Sequence, residues 1–251
     1  MAEEIQNAPV VGWFEDSLAL EDEVVETINY GTVEAGTDSV EKKFFIINNR
    51  NGETDVPKME GVTFTTRDRQ GGLGNVPGQE VEAVKDNWFM IRVDSLSEDS
   101  FTAVGGGGGA DGTQKQIGTN GSTTSRHYSE ATEWTANTEF ELGQFVKSTD
   151  GADTFVYLVT LPGTSGGTEP SWNQSEGENT TDGTVTYKSY RVVQTPATGE
   201  LLGIANKIED DGTGATDAGG NFAEVTVYAE VPDDATSGLN KLLFRVNYKY
   251  V

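Results

Sequence analysis

Short apolar segments separated by turn residues recur along the whole chain, and no long stretch repeats every 3.6 residues. Phe222–Val231 places Val225, Val227, Ala229 and Val231 on one face and Glu224, Thr226 and Glu230 on the other. Lys241–Val251 alternates Leu242, Phe244, Val246, Tyr248 and Tyr250 with Lys241, Arg245, Asn247 and Lys249. A period of two is the mark of a strand with one buried face. Between them Pro232-Asp-Asp-Ala-Thr-Ser-Gly238 has the composition of a reversal. The pair therefore reads as antiparallel neighbours in one sheet.

Lys42–Asn48 is apolar on both faces, as a central strand would be. Val62–Thr66 and Trp88–Val93 are rich in β-branched and aromatic residues and read as further strands. Asn48-Asn-Arg-Asn-Gly52 reads as a turn. Glu15–Tyr30 fits a strand pair better than a helix. Such short, turn-bounded strands predict an all-β fold, an antiparallel sandwich of immunoglobulin-like or jelly-roll-like kind.

Gly105–Gly109 and the polar tract up to Ser125 interrupt this pattern, and 105–127 reads as a glycine-rich linker. From Trp134 to Tyr190 the chain turns aromatic, and Thr195-Pro-Ala-Thr-Gly199 reads as a second linker. Strands of the first kind resume at Phe222. The expected organisation is a host sandwich, 1–104 plus 197–251, with a small β module inserted at 128–193. A bead-like row of three domains would leave a last piece too small for an independent β core.

Composition narrows the functional classes. The 251 residues carry 41 acidic against 17 basic side chains, a net charge of −24, and no cysteine. Phosphate backbones are repelled by such a surface, so no nucleic-acid partner is expected. Disulfides, thiol nucleophiles and thiolate metal sites are excluded, and one histidine excludes a two-imidazole site. The apolar runs are too short to cross a bilayer as helices, and Met1–Val10 lacks the basic start of a secretion signal.

The inserted stretch carries one ordered motif. It reads Trp134-Thr-Ala-Asn-Thr-Glu-Phe140, Leu142-Gly-Gln-Phe-Val146, Phe155-Val-Tyr-Leu-Val159 and Gly163-Thr-Ser-Gly166. Glu169-Pro-Ser-Trp172 and Thr181-Asp-Gly-Thr-Val-Thr-Tyr187 complete it. This resembles the small aromatic β module of tailed-bacteriophage virion proteins and is similar in outline to chitin-binding-type carbohydrate modules. The host part, with Asp55-Val-Pro57 and Val231-Pro-Asp-Asp-Ala-Thr-Ser-Gly238, looks like phage accessory structural proteins.

An aromatic plate suits the apolar face of a pyranose, and the rim hydroxyls need polar partners. The candidate sugar platform is Trp134, Tyr157, Trp172 and Tyr187, with Asn173, Gln174 and Asp182 as polar partners. Against it stands burial, the commoner fate of a tryptophan in a module this small. Gly183, Gly143 and Gly166 read as turn glycines that relieve a positive φ.

Other chemistry is sparse. Nothing singles out a catalytic carboxylate pair, no Gly-x-Ser-x-Gly accompanies His127, and no Lys-Ser/Thr follows the glycine run. Asp210, Asp211 and Asp217 offer hard oxygens to calcium, though a plain turn explains them more simply. No cofactor is expected.

The resulting expectation is a non-enzymatic phage structural protein, assembled in the host cytoplasm, resident in the virion and oligomeric. Its sandwich docks on other virion proteins, and its module projects toward a cell-surface glycan from a tail or baseplate position. Capsid decoration as a head fibre, a free carbohydrate-binding protein and a polysaccharide depolymerase are the alternatives.

Overall fold

The computed structural model describes residues 11–18, 22–24, 27–49, 54–124, 127–151, 154–205 and 219–251. Its first strands are β1 (Gly12–Glu15), β2 (Lys42–Ile47), β3 (Met59–Asp68), β4 (Phe89–Val93), β5 (Thr102–Val104) and β6 (Lys115–Gln116). There follow β7 (Thr123–Thr124), β8 (Thr132–Glu133), β9 (Glu139–Phe140), β10 (Phe145–Lys147), β11 (Phe155–Leu161) and β12 (Gly163–Thr164). The last are β13 (Asn179–Asp182), β14 (Val185–Arg191), β15 (Val193–Gln194), β16 (Phe222–Ala229) and β17 (Leu242–Tyr250). Two single-turn helices, α1 (Glu82–Lys85) and α2 (His127–Glu130), interrupt them. The chain is all-β, as the alternating pattern requires.

It divides into two compact units: Met1–Ser122 with Thr195–Val251, and Thr123–Gln194. Unit 1 is a sandwich of an antiparallel sheet β1-β2-β16-β4-β5 and an antiparallel sheet β17-β3-β6. Phe44, Val225 and Ile91 from the first meet Val62, Phe64 and Phe244 from the second in one core. The Phe244 ring packs edge-on against Phe44 and Phe89, with centroids 5.9 and 5.2 Å apart.

The expected β16–β17 hairpin is wrong. The strands have the predicted alternation, but β16 pairs β2 and β4, whereas β17 pairs β3 across the core. The apolar faces of both strands point at each other through the core, a relation that alternation alone does not separate from pairing side by side. β2 is central and apolar on both faces, as expected. Phe44 and Ile46 fill the main core, while Ile47 and Phe45 join Phe14, Leu18 and Phe222 in a second cluster on the outer side. Part of Glu15–Tyr30 lies outside the described residues. The rest shows β1 and a return that bridges Phe14 to Glu23, which is strand character rather than helix.

The two described asparagines of the expected turn bind distant backbone. Asn49 adopts φ +60°, and its Nδ2 donates to the carbonyls of Thr54, Gly203 and Ile204 at 2.8, 2.9 and 3.2 Å. Asn48 Nδ2 donates to Pro57 O at 3.0 Å and Leu201 O at 3.3 Å. These buried amides clamp the segment that returns from unit 2, adding to the bonds its carbonyls accept from Met59, Val56 and Asn221. Residues 50–53 lie outside the described residues.

The glycine-rich linker is also corrected. Gly105 exchanges backbone hydrogen bonds with Thr113, and the Gly106 N–H donates to Val84 O at 2.6 Å. Arg67 Nη1 donates to Gly105 O, and Nη2 to Asp111 O. A Cβ on Gly106 would lie 1.9 Å from Leu73 O. The glycines permit a close backbone approach inside unit 1, so the run is a packed loop and not an arm.

Unit 2 is built on the sheet β13-β14-β11-β10-β8, with the small pair β12-β9 beside it. Ser122 Oγ and Thr195 Oγ1, the last and first residues of unit 1 at this point, lie 2.8 Å apart. The next residues pair directly, Thr124 with Val193 and Thr123 with Gln194, as β7 and β15. Unit 2 thus begins and ends on one two-stranded neck.

Candidate functional site

The aromatic centre of unit 2 gathers the motif residues, and it gathers them inside. Alternate residues of β11 (Phe155, Tyr157, Val159) and β14 (Val185, Tyr187) point to one side of the sheet. Trp134 and Phe140, from the segment before β10, close over them. Tyr187 is 0 % exposed, Tyr157 2 % and Trp134 8 %.

Asp182 organises the layer. Its Oδ2 accepts the Trp134 indole N–H at 2.8 Å, and its Oδ1 accepts the Gly166 backbone N–H at 2.9 Å. It ends β13 and opens the Asp182–Gly183 turn, where Gly183 has φ +59° and approaches Thr164 O so closely that a Cβ would sit 2.3 Å away. Ser165 Oγ donates to Thr135 O at 2.6 Å and accepts the Thr138 N–H at 3.0 Å. Trp134, Gly166 and Asp182 of the ordered motif thus bond to one another.

Trp172 covers the rim. It stacks on Tyr157 at 4.0 Å and 18° and stands edge-on to Tyr187 at 5.1 Å. Its indole N–H donates to Glu169 Oε1 at 2.8 Å, and Glu169 also accepts the Thr149 N–H and hydroxyl. Burial pushes the Glu169 carboxyl up, but the bonds from Thr149 and Trp172 outweigh it and leave the group below the usual carboxylate range. Desolvation pushes the Tyr157 hydroxyl up to about 12, with Asp150 and Glu169 adding to it. Tyr187 is raised further by burial and by Asp182, and its buried hydroxyl has no hydrogen-bond partner among the described residues.

This geometry overturns the sugar platform as drawn. Trp134, Tyr157 and Tyr187 present no face to solvent, and both oxygens of Asp182 are engaged. The half-buried Trp172 turns one face to Tyr157. Asn173 is half-buried, with its backbone N–H on Thr180 and its carbonyl on Ser189. A unit of about 70 residues needs its large side chains inside, so these aromatics are consumed by folding together with Phe140 and Phe155. Of the turn glycines, Gly143 and Gly183 have positive φ, whereas Gly166 is small because Asp182 approaches it.

The opposite face of the sheet is only partly covered. Tyr128 of α2, Phe145 and Tyr190 pack around Ala131, Val156 and Val192. The His127 ring stacks on Phe145 at 4.2 Å, and Lys147 lies over Tyr128. His127, read from the sequence as a linker residue, is part of this packing. Asp210, Asp211 and Asp217 lie outside the described residues.

Sequence reasoning missed two surfaces of unit 1. One is an open groove of about 840 Å³ at the start of β4, with Trp88 and Met90 among its lining residues. Asp38, Glu82, Asp86, Glu230, Asp233 and Asp234 surround it. Among the described residues no three acidic or imidazole groups converge as metal ligands would. The other is the outer edge of β17, whose only strand partner among the described residues is β3. Its signal was present in the alternation of Lys241, Arg245 and Lys249, but the edge position is decided by sheet order. No described helix is long and apolar enough to cross a membrane. No protein-family model matches the chain, and no similar protein was found among curated proteins or solved structures.

Proposed function

We propose that the chain is a non-enzymatic structural protein of a tailed-phage virion, in which unit 1 docks on the particle and unit 2 is displayed. The carrying observation is the neck, where Ser122 and Thr195 stand side by side and β7 pairs β15. A segment that leaves and re-enters a sandwich at one point adds a second body without breaking the first core. The resemblance of the Trp134-to-Tyr187 pattern to phage virion modules supports the same reading. Mutual bonding of its motif residues supports a module that holds a shape and marks an attachment point.

A tail or baseplate accessory position is the preferred location, with capsid decoration as a head fibre the alternative. A free carbohydrate-binding role loses most of the aromatic platform on which it was drawn, since Trp134, Tyr157 and Tyr187 are buried and Trp172 stacks on Tyr157. The test is mass spectrometry of density-purified particles from infected cells, with gold-labelled antibody to unit 2 locating the protein. Stoichiometric recovery with label on the tail is the expected result. Presence in the lysate with absence from particles overturns the proposal, and label on the head replaces tail by capsid.

A further inference from the structure

We infer that β17 is a docking strand, which takes up an extended acidic segment of a partner protein as an additional strand of its sheet. β17 lies at the edge of the sheet β17-β3-β6 and runs nine residues, Leu242–Tyr250. One side of its backbone pairs β3, and among the described residues no strand pairs the other. Such a row of free N–H and C=O groups is a template for strand addition.

Charge identifies the occupant. Lys241, Arg245 and Lys249 are all exposed, and none makes an ion pair among the described residues. That is unusual placement in a chain with 41 acidic side chains, and no acidic residue follows Asp234. The cations recur every fourth residue, about 13 Å apart along a strand. Leu243 stands midway between two of them and is 44 % exposed, while Leu239 at 80 % and Tyr250 at 56 % flank the row. A complementary strand therefore carries carboxylates at every fourth position with apolar residues between, each facing its partner at cross-strand distance.

The same cations disfavour a second copy of β17. In antiparallel self-pairing centred on Arg245, Arg245 faces its own copy and Lys241 faces Lys249, and centred on Asn247 each Arg245 faces a Lys249; like charges directly opposite destabilise a strand pair. The surface gives the docking role proposed above a specific location. Its test is separate, because peptide binding by the purified chain does not depend on where the protein resides.

The probe is a synthetic peptide with glutamate at every fourth position, valine midway and threonine elsewhere, titrated into the full chain by calorimetry. A lysine-for-glutamate peptide is the control. Saturable binding of the acidic peptide alone is expected, with slowed amide exchange at Leu242–Tyr250. It should weaken about tenfold or more in R245E/K249E, and the lysine peptide should then bind. In the milder R245Q/K249Q, chosen in case charge reversal disturbs folding, the acidic peptide should also weaken. Absence of binding, or equal binding by either variant, overturns the inference. So does sedimentation of the free chain as a dimer that protects the same amides, which would assign the edge to a second copy.

Discussion

Asp182 takes the indole N–H of Trp134 on one carboxylate oxygen, at 2.8 Å, and the backbone N–H of Gly166 on the other, at 2.9 Å. One buried side chain thereby joins the start, the middle and the last hairpin of unit 2. Asp182→Ala leaves the buried Trp134 indole N–H unpaired, at about 1–3 kcal/mol, and also frees the half-buried Gly166 N–H. A separate, earlier melting transition for unit 2 is expected, followed by tryptophan fluorescence and near-ultraviolet dichroism. A single unchanged transition would show that the bond does not hold the unit.

Gly106 distinguishes a packed loop from an arm. Its backbone lies so near Leu73 that a Cβ would meet the carbonyl oxygen at 1.9 Å, and unit 1 cannot open there without losing the Val84 hydrogen bond. Gly106→Ala should lower the denaturation midpoint of unit 1 and leave that of unit 2 alone. Limited proteolysis of the native chain should spare 105–107. Rapid native cleavage there would restore the linker.

The neck predicts separability. Because Ser122 and Thr195 already approach to 2.8 Å, replacing Thr123–Gln194 by a direct join or a short glycine bridge closes almost no distance. The remaining sandwich should unfold cooperatively in urea, with a smaller slope in proportion to the surface removed. Loss of cooperative unfolding would mean that unit 1 depends on unit 2.

Acid should act on unit 2 through Glu169. Its carboxyl is held below the ordinary value by bonds from Thr149 and Trp172 that outweigh desolvation. A depressed carboxylate stabilises the fold fully above its unfolded pKa, and that contribution is lost as pH falls through the folded value. The Trp172 environment should therefore be constant down to about pH 4.5 and change below it. Glu169→Gln should remove that part of the fluorescence titration. An identical titration in the variant would place the acid response elsewhere.

Much of this was legible in the chain. Lys42–Asn48 announced a central strand because Phe44 and Phe45 both needed cover, and both found it. The alternation at Phe222–Val231 and Lys241–Val251 announced two strands at the observed positions. It did not announce their partners, since a period of two states which side of a strand is apolar and not which strand lies beside it. The platform at Trp134, Tyr157 and Tyr187 was misread for a related reason. The rings that suit a sugar are also those that suit a core, and burial is not written in residue type.

What the sequence determined by itself is therefore local: strand character, the Asp182–Gly183 turn, the acidic charge and the exclusion of thiol chemistry. These follow from backbone sterics, side-chain alternation and counting, which need no distant contact. The tertiary structure alone decided that Gly105–Gly107 is packed, that Asn48 and Asn49 clamp residues 201–204, and that β17 is an edge. Each depends on segments far apart in the chain meeting at a few ångströms, and sheet order is chosen by the packing of the whole core rather than by any strand's own residues.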